Sequence, residues 1–332
     1  MRRCGRLRNL LLLAALGLVA IAVGAGPAAG TYPGANGRIV FANGTNELWS
    51  VLPDGAGLEL LTTVVAPPGS GVRSFVSFPS FSADGSKLAV MLNEFERPTP
   101  CDPHAINAGS GVCRALVLMN ADGSNQHVVY ASEDIASLDL ALSPDGNKIA
   151  FTKVIAKGNG NLSEQLFTIE ADGKHLRLLT PQGPHAPATD TAPTWSPDGT
   201  MIAFESSRDE ALTGNSWSLF SVDVRTRKIG RIIPGSMNND LEPNWSPDGS
   251  KFVFLRTFGY PDYRIYSVNR DGSGEQEILA DFTAVQGPVW SPDGSEILYH
   301  GLGGLWLVNA DGSNSHQLVF GVIPGYSWEP LP

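Results

Sequence analysis

Five copies of one short signature constrain this chain more than any other feature. Ser82-Ala83-Asp84-Gly85 is followed by Ser-Pro-Asp-Gly at Ser143, Ser196, Ser246 and Ser291. Each copy follows a large apolar residue (Phe81, Leu142, Trp195, Trp245 or Trp290) and precedes a strand-like run such as Lys148-Ile149-Ala150-Phe151. A unit returning every 45–60 residues or so marks a repeat architecture, in which one unit cannot bury its apolar face alone and neighbours must stack.

The unit near Ala192 shows what each repeat builds. Pro193-Thr194-Trp195-Ser196 reads as a short strand, and Pro197-Asp198-Gly199 suits a tight turn because Pro presets φ and Gly accepts positive φ. Met201-Ile202-Ala203-Phe204 reads as a second strand, Trp217–Val222 alternates as a third, and a fourth falls around Lys228–Ile232. Asp-Gly turns at Asp54, Asp122, Asp172, Asp271 and Asp311 separate third from fourth strands. A calcium loop would need further oxygen ligands at fixed spacing, and each copy offers one Asp before its Gly, so these are turn formers. Four antiparallel strands per unit make a propeller blade.

The two ends supply the last blade. Gly37–Phe41 matches a second strand and Leu48–Val51 a third, with no Trp-Ser-Pro-Asp-Gly before them; Gly325–Pro330 is an orphan first strand. Joining them gives an all-β, six-bladed propeller of four-stranded antiparallel blades, closed by pairing of N- and C-terminal strands. Closure removes the exposed edges of an open sheet.

The pattern Trp195-Ser-Pro-Asp-Gly followed by Ile202-Ala-Phe and Asp-Gly resembles the TolB-like, WD40-like β-propeller repeat family of exported bacterial proteins. The resemblance covers residues 31–332. The Leu142 unit lacks the aromatic, and the Phe81 unit has Ala for Pro and a long insertion. Two-domain members carry an α/β domain ahead of the propeller, for which this sequence has no room, so a part in the TolB–Pal envelope system is not expected.

Residues 1–30 read as an export signal. Four Arg precede an uncharged run from Leu10 to about Ala25, then small residues, with cleavage expected between Ala25 and Thr31. The competing reading is an uncleaved anchor, for which the run is short; only that would bring a membrane contact. The paired arginines hint at twin-arginine export, and no lipoprotein anchor is expected. Removing the segment leaves 19 basic against 33 acidic residues, a net charge that repels phosphate backbones. Nucleic acid is excluded as a partner, and Arg225, Arg227, Lys228 and Arg231 read as a solvated hairpin. Cys101 and Cys113 are expected to form a disulfide, as paired cysteines do in exported chains; a metal site there would need more soft ligands than His104.

Topology puts the Ser-Pro-Asp-Gly and Asp-Gly turns on one face, here the lower. The upper face carries loops of very unequal length, the longest between Met91 and Ala115, and such loops on a rigid scaffold tend to carry function. Asp139, Asp190, Asp240 and Glu242 are expected just before inner strands at the channel mouth, with Lys153, Arg208, Arg256 and His300 on the same side. The acids form either a ring holding a cation or basic peptide, or a set of loop caps paired with those cations. His104, His185 and His300 fall on upper loops and invite a metal reading, although their spacing follows no ligand rule; His127, His175 and His316 read as exposed strand residues. No Gly-x-Ser-x-Gly, Walker loop, dinucleotide fingerprint or His-Glu-x-x-His occurs.

The leading expectation is therefore an exported, monomeric, non-catalytic propeller that binds a protein or glycan partner through its long-loop face and needs no cofactor. The alternative is a metal-assisted carbohydrate-active enzyme, a polysaccharide lyase or hydrolase, on the same face.

Overall fold

A computed structural model describes residues 31–332 except 67–72, 97–99, 103, 108–109, 157–161, 182–187, 209–216, 235, 237, 260–261, 283–285 and 322. The expected signal lies outside the described residues. Six four-stranded antiparallel sheets form a ring of blades, numbered I–VI here in chain order. Their innermost strands are Tyr326–Leu331 (I), Arg73–Phe81 (II), Ile135–Leu142 (III), Asp190–Trp195 (IV), Asn239–Trp245 (V) and Gln286–Trp290 (VI).

Blade I is shared between the chain ends. Tyr326–Leu331 pairs with Ala35–Ala42, with Trp328 opposite Ile39 and Tyr326 opposite Phe41. Glu329 stands where the other units have the turn serine, and Arg38 donates to both its oxygens, at 2.9 and 3.2 Å.

The signature turns are built alike in all five copies. The serine Oγ donates to the Asp two residues on at 2.6–2.7 Å and accepts the N–H that opens the second strand at 2.8–3.0 Å. Ser82-Ala83-Asp84 keeps this geometry without proline, so the hydroxyl–carboxylate pair defines the turn. The Asp-Gly turns likewise use Asp54, Asp122, Asp172, Asp271 and Asp311 as acceptors of a backbone N–H two residues later.

Apolar side chains fill the joins between blades. Ala141, Ala150 and Leu166 of blade III pack with Trp195, Ile202 and Phe204 of blade IV. Trp245 and Phe252 of blade V pack with Ala203 and Leu219 of blade IV. Val289 and Leu298 of blade VI meet Ile39, Phe41 and Trp328 of blade I. Phe81, Trp195, Trp245 and Trp290 are buried as expected, and His127, His175 and His316 are exposed.

Each first strand carries a register shift against its second strand. A residue of positive φ lies at the shift in blades II–VI (Phe78, Asp139, Ala192, Glu242 and Gly287), and blade I has Gly325 just ahead of its first strand. Five of them stand four residues before the turn serine, and Pro follows Phe78, Ala192, Glu242 and Gly287. Pro inside a sheet belongs at such bulges, where no ladder N–H is missed, and a bulge re-aims the side chain it carries. The repeat thus generates one specialised position per blade beside the axis.

Candidate functional site at the channel mouth

The expected acids lie within the innermost strands rather than just before them, because pairing with the second strand extends past the bulge, and they separate into two classes. Asp190 and Asp240 stand six residues before their turn serines, and each is neutralised within its own blade. Arg208 Nη2 donates to both oxygens of Asp190 at 2.8 and 2.7 Å, with Ser206 Oγ as a further donor. Arg256 Nε and Nη2 donate to Asp240 at 2.6 and 3.1 Å, with Ser236 Oγ at 2.7 Å. The guanidiniums also lie over paired aromatics, Phe204 and Phe220 in one blade and Phe254 and Tyr266 in the next. Blades IV and V therefore repeat one device: a buried Asp–Arg pair stacked on rings, which fixes strand ends.

Asp139 and Glu242 belong to the second class, and the structure adds Glu205 to them. Glu205, near the end of the second strand of blade IV, accepts the hydroxyl of Thr191 at 2.8 Å and the backbone N–H of Glu242 at 2.9 Å. Glu242 in turn accepts the N–H of Gly287 in blade VI. Asp139 is buried and accepts a backbone hydrogen bond from Ala192; its Oδ1 has no hydrogen-bond partner. Among the described residues no basic side chain pairs with any of the three.

Burial raises all three above the ordinary carboxyl range, and neighbouring carboxyl groups add to the shift of Asp139 and Glu242. Asp139 is raised well above it, by burial first and then by Glu205 and Glu242. Burial raises Glu205. Glu242 is pushed up to about 8, by burial and by the charge of Glu205. Glu164, on the third strand of blade III, is also raised by burial, opposed by Arg114. Blades III, IV and V thus present carboxyl groups whose protonated form burial favours, and a cation beside them would favour ionisation.

The remaining expected residues lie elsewhere. Lys153 approaches Asp134 at 3.5 Å and Tyr130 Oη at 3.1 Å rather than the channel acids. The backbone N–H of His300 donates to Tyr326 Oη at 2.9 Å, and burial lowers its imidazole pKa. His104 is exposed, and His185 lies outside the described residues. Among the described residues no group of three His, Cys, Asp or Glu side chains is arranged to hold a metal ion.

The long upper loop is closed by the expected Cys101–Cys113 disulfide. Two adjacent buried acids hold it down. Glu133 accepts the N–H groups of Cys101 and Asp102 at 2.7 and 2.9 Å, and Asp134 those of Ile106 and Asn107 at 2.9 and 3.0 Å. The strands run further into this insertion than the sequence suggested, to Phe95 and from Cys113, which shortens the free loop. A surface depression of about 180 Å³ lies on the opposite, lower face, lined by Asp145, Lys148, Trp195 and Asp198. It is lined by signature-turn residues and the strand ends beside them, and it stands apart from the carboxyl group cluster.

The family model of the TolB beta propeller domain matches residues 141–331, more than half of the chain. The chain belongs to this family. Similarity extends to the uncharacterized protein Atu1656 of Agrobacterium fabrum, 30% identical over 200 residues, 56% of this chain and 61% of that protein. The Tol-Pal system protein TolB of Francisella tularensis is 28% identical over 185 residues, 55% of this chain and 39% of that protein. The chain thus matches less than two thirds of either relative's length. Among solved structures, TolB from Acinetobacter baumannii superposes with a TM-score of 0.64 at 17% identity, covering 89% of this chain and 67% of that one. An oligogalacturonate lyase in complex with manganese gives 0.55 at 18% identity, covering 80% and 71%. Both structural likenesses are of fold.

Two signals in the sequence separate the acids. One is distance from the turn serine: four residues for Asp139 and Glu242, six for Asp190 and Asp240. The other is the run Phe204-Glu205-Ser206, where an acid near the end of a second strand faces the join to the next blade. Glu133 and Asp134 left no sequence signal, because their partners are backbone N–H groups of a loop.

Proposed function

We propose that this TolB-family propeller is an exported, non-catalytic binding platform that takes a protein partner on its upper face, with a basic segment of that partner at Asp139, Glu205 and Glu242. One observation carries the reading: three carboxyl groups converge without a cation while the neighbouring Asp190 and Asp240 each have their own arginine. A site lined by unneutralised acids favours ammonium or guanidinium groups, and the low local dielectric strengthens the attraction. The unpartnered Asp139 Oδ1 supplies an acceptor. The disulfide-closed loop offers the wider contact surface that a single buried charge does not. The relatives named for the Tol-Pal system support a protein partner, and residues 1–30 support export.

The test is affinity capture from an extracellular fraction with intact protein and with the Glu205→Gln/Glu242→Gln variant. A partner held by the intact protein, released by salt and lost from the variant supports the reading; equal capture by both overturns it. Metal analysis of the same preparations addresses the alternative of a metal-assisted carbohydrate-active enzyme at this mouth. Stoichiometric metal that depends on His300 or His185 would favour that alternative.

A further inference from the structure

Two adjacent residues outside the blades reach opposite sides of the ring. Thr31 and Tyr32 are both buried, although they precede the first strand of the chain. Thr31 Oγ1 lies 2.7 Å from the carbonyl of Trp290, its acceptor, and 3.2 Å from Asn244 Oδ1, on the innermost strands of blades VI and V. Tyr32 Oη donates to the carbonyl of Leu142, on the innermost strand of blade III, and its ring packs in the cluster with Ala141, Leu179 and Trp195. Blades III and VI face each other across a ring of six. Gly34 then donates to the carbonyl of Pro292 at 3.2 Å, and a Cβ there would meet Leu331 O at 2.4 Å.

All these acceptors share one level. Leu142 and Trp290 immediately precede the turn serines Ser143 and Ser291, and Asn244 stands two residues before Ser246. They mark the lower ends of the innermost strands, below Glu242. A segment bonded there to blades III, V and VI crosses the axis. Its apolar ring and satisfied hydroxyls suit a buried floor; a solvated tail would not bury a tyrosine this completely.

We propose that Thr31–Gly34 is a built-in stopper that closes the lower end of the central channel, so that the carboxyl-lined channel is a cup entered from the upper face alone. The stopper stands on its own contacts; what enters the cup rests on the function proposed above. The inference also fixes what processing must leave. A cut at or before the Gly30–Thr31 bond keeps the stopper whole, whereas one after Tyr32 removes it.

Two measurements on the exported, full-length protein test this. N-terminal sequencing of the mature chain should begin at or before Thr31, and a first residue beyond Tyr32 overturns the proposal. Hydrogen exchange should then be compared between wild type, Thr31→Gly/Tyr32→Ala, and the milder Tyr32→Phe. The expected result is at least tenfold faster exchange in the double variant over the lower ends of the strands ending at Leu142, Trp245 and Trp290, with outer strands unchanged. Tyr32→Phe, which keeps the ring, serves if the double variant fails to fold and should show a smaller acceleration near Leu142. Unchanged exchange at all three strand ends in a folded variant overturns the stopper. Neither measurement involves a partner, so a negative capture experiment leaves this result separate.

Discussion

Glu205 Oε2 accepts the backbone N–H of Glu242 at 2.9 Å across the join between blades IV and V. The contact places two carboxyl groups close together at a position where the bulged backbone of Glu242, with φ of 52°, directs the chain. Non-glycine residues seldom adopt that conformation without a local reason. Here the bulge belongs to the repeat, so the ring geometry brings the acids together and the chain does not neutralise them.

A stability change with pH follows. The folded protein keeps a proton on Glu242 up to about 8, whereas the unfolded chain sheds it near the ordinary value of 4.5. Stability from this group is complete below the lower value and is lost as pH rises toward the upper one. Burial moves Asp139 and Glu205 in the same direction and steepens the fall. Melting temperature should decline between about pH 5 and 8, and Glu242→Gln should flatten that decline. A wild-type melting temperature rising across this range would contradict the arrangement of the three acids.

Binding at the same place should release protons. A cation that enters lowers the pKa of a protonated carboxyl group beside it, so Glu242 ionises on binding near neutral pH. Calorimetry of the captured partner in buffers of different ionisation enthalpy should detect up to about one proton released at pH 7. The release should vanish well above pH 8, where Glu242 is already charged.

Arg256 should prove the most sensitive of the paired cations. It is almost fully buried between Asp240 and Glu275, with Nη1 2.6 Å from the latter. Removing it as Arg256→Ala strands a buried carboxylate and strips the rings of Phe254 and Tyr266. Loss of one partner from a buried pair costs about 3–5 kcal/mol. Denaturant unfolding should show a loss of that order, with Arg256→Ala/Asp240→Asn recovering part of it. Surface Lys174, paired with Asp172 in the open, should be replaceable with little change.

The architecture was readable in the sequence because the fold repeats itself. Five signature turns fixed blade number and register, and the orphan strand at Tyr326 matched the incomplete unit at Ile39, as their pairing confirms. The site was readable only in part. Asp139 and Glu242 fall at one repeat position and Asp190 and Asp240 at another, yet all four look alike as acids near an inner strand. Which of them meets an arginine depends on whether the second strand of its own blade, or the residues just after it, supplies one, as at Arg256 and Arg208. Glu205 is marked in the sequence only as an acid near the end of a second strand; its partner, the N–H of Glu242, belongs to the next blade, so that run alone does not reveal the contact. The sequence groups Lys153 with the channel acids as a residue leaving a second strand, but that strand runs on to Ala156 and Asp134, in the connection before the first strand of its blade, takes Lys153 instead.

The disulfide and the acid pair beneath it divide the anchoring of the long loop. Closing a separation of 12 residues should stabilise by about 3 kcal/mol in the chain-entropy account. Cys101→Ser/Cys113→Ser should therefore lower stability by that order while leaving the blades intact. Glu133 and Asp134 still hold four loop N–H groups without the bond. Proteolysis within residues 96–112 should be slow in the double serine variant and become rapid only when Glu133→Gln and Asp134→Asn are added. Rapid cleavage on loss of the cysteines alone would show that the carboxylates contribute no anchoring.

Closure of the ring offers the sharpest check on the whole assembly. Trp328 belongs to the last strand of the chain but packs with Ile39 and Phe41 from the beginning and with Val289 and Leu298 from blade VI. It thus joins three stretches far apart in sequence, and no local contact compensates for its loss. Trp328→Ala should cost about 3–5 kcal/mol, the range for a buried aromatic. Deleting residues 325–332 should cost more, since it leaves the strand Ala35–Ala42 as an open edge and removes the carboxylate facing Arg38. Trp245→Ala, in a join between two complete blades, should cost about as much as Trp328→Ala without exposing an edge. Comparing the three by denaturant unfolding separates packing from closure: a truncated chain as stable as Trp245→Ala would mean that the terminal strand contributes one aromatic and no closure.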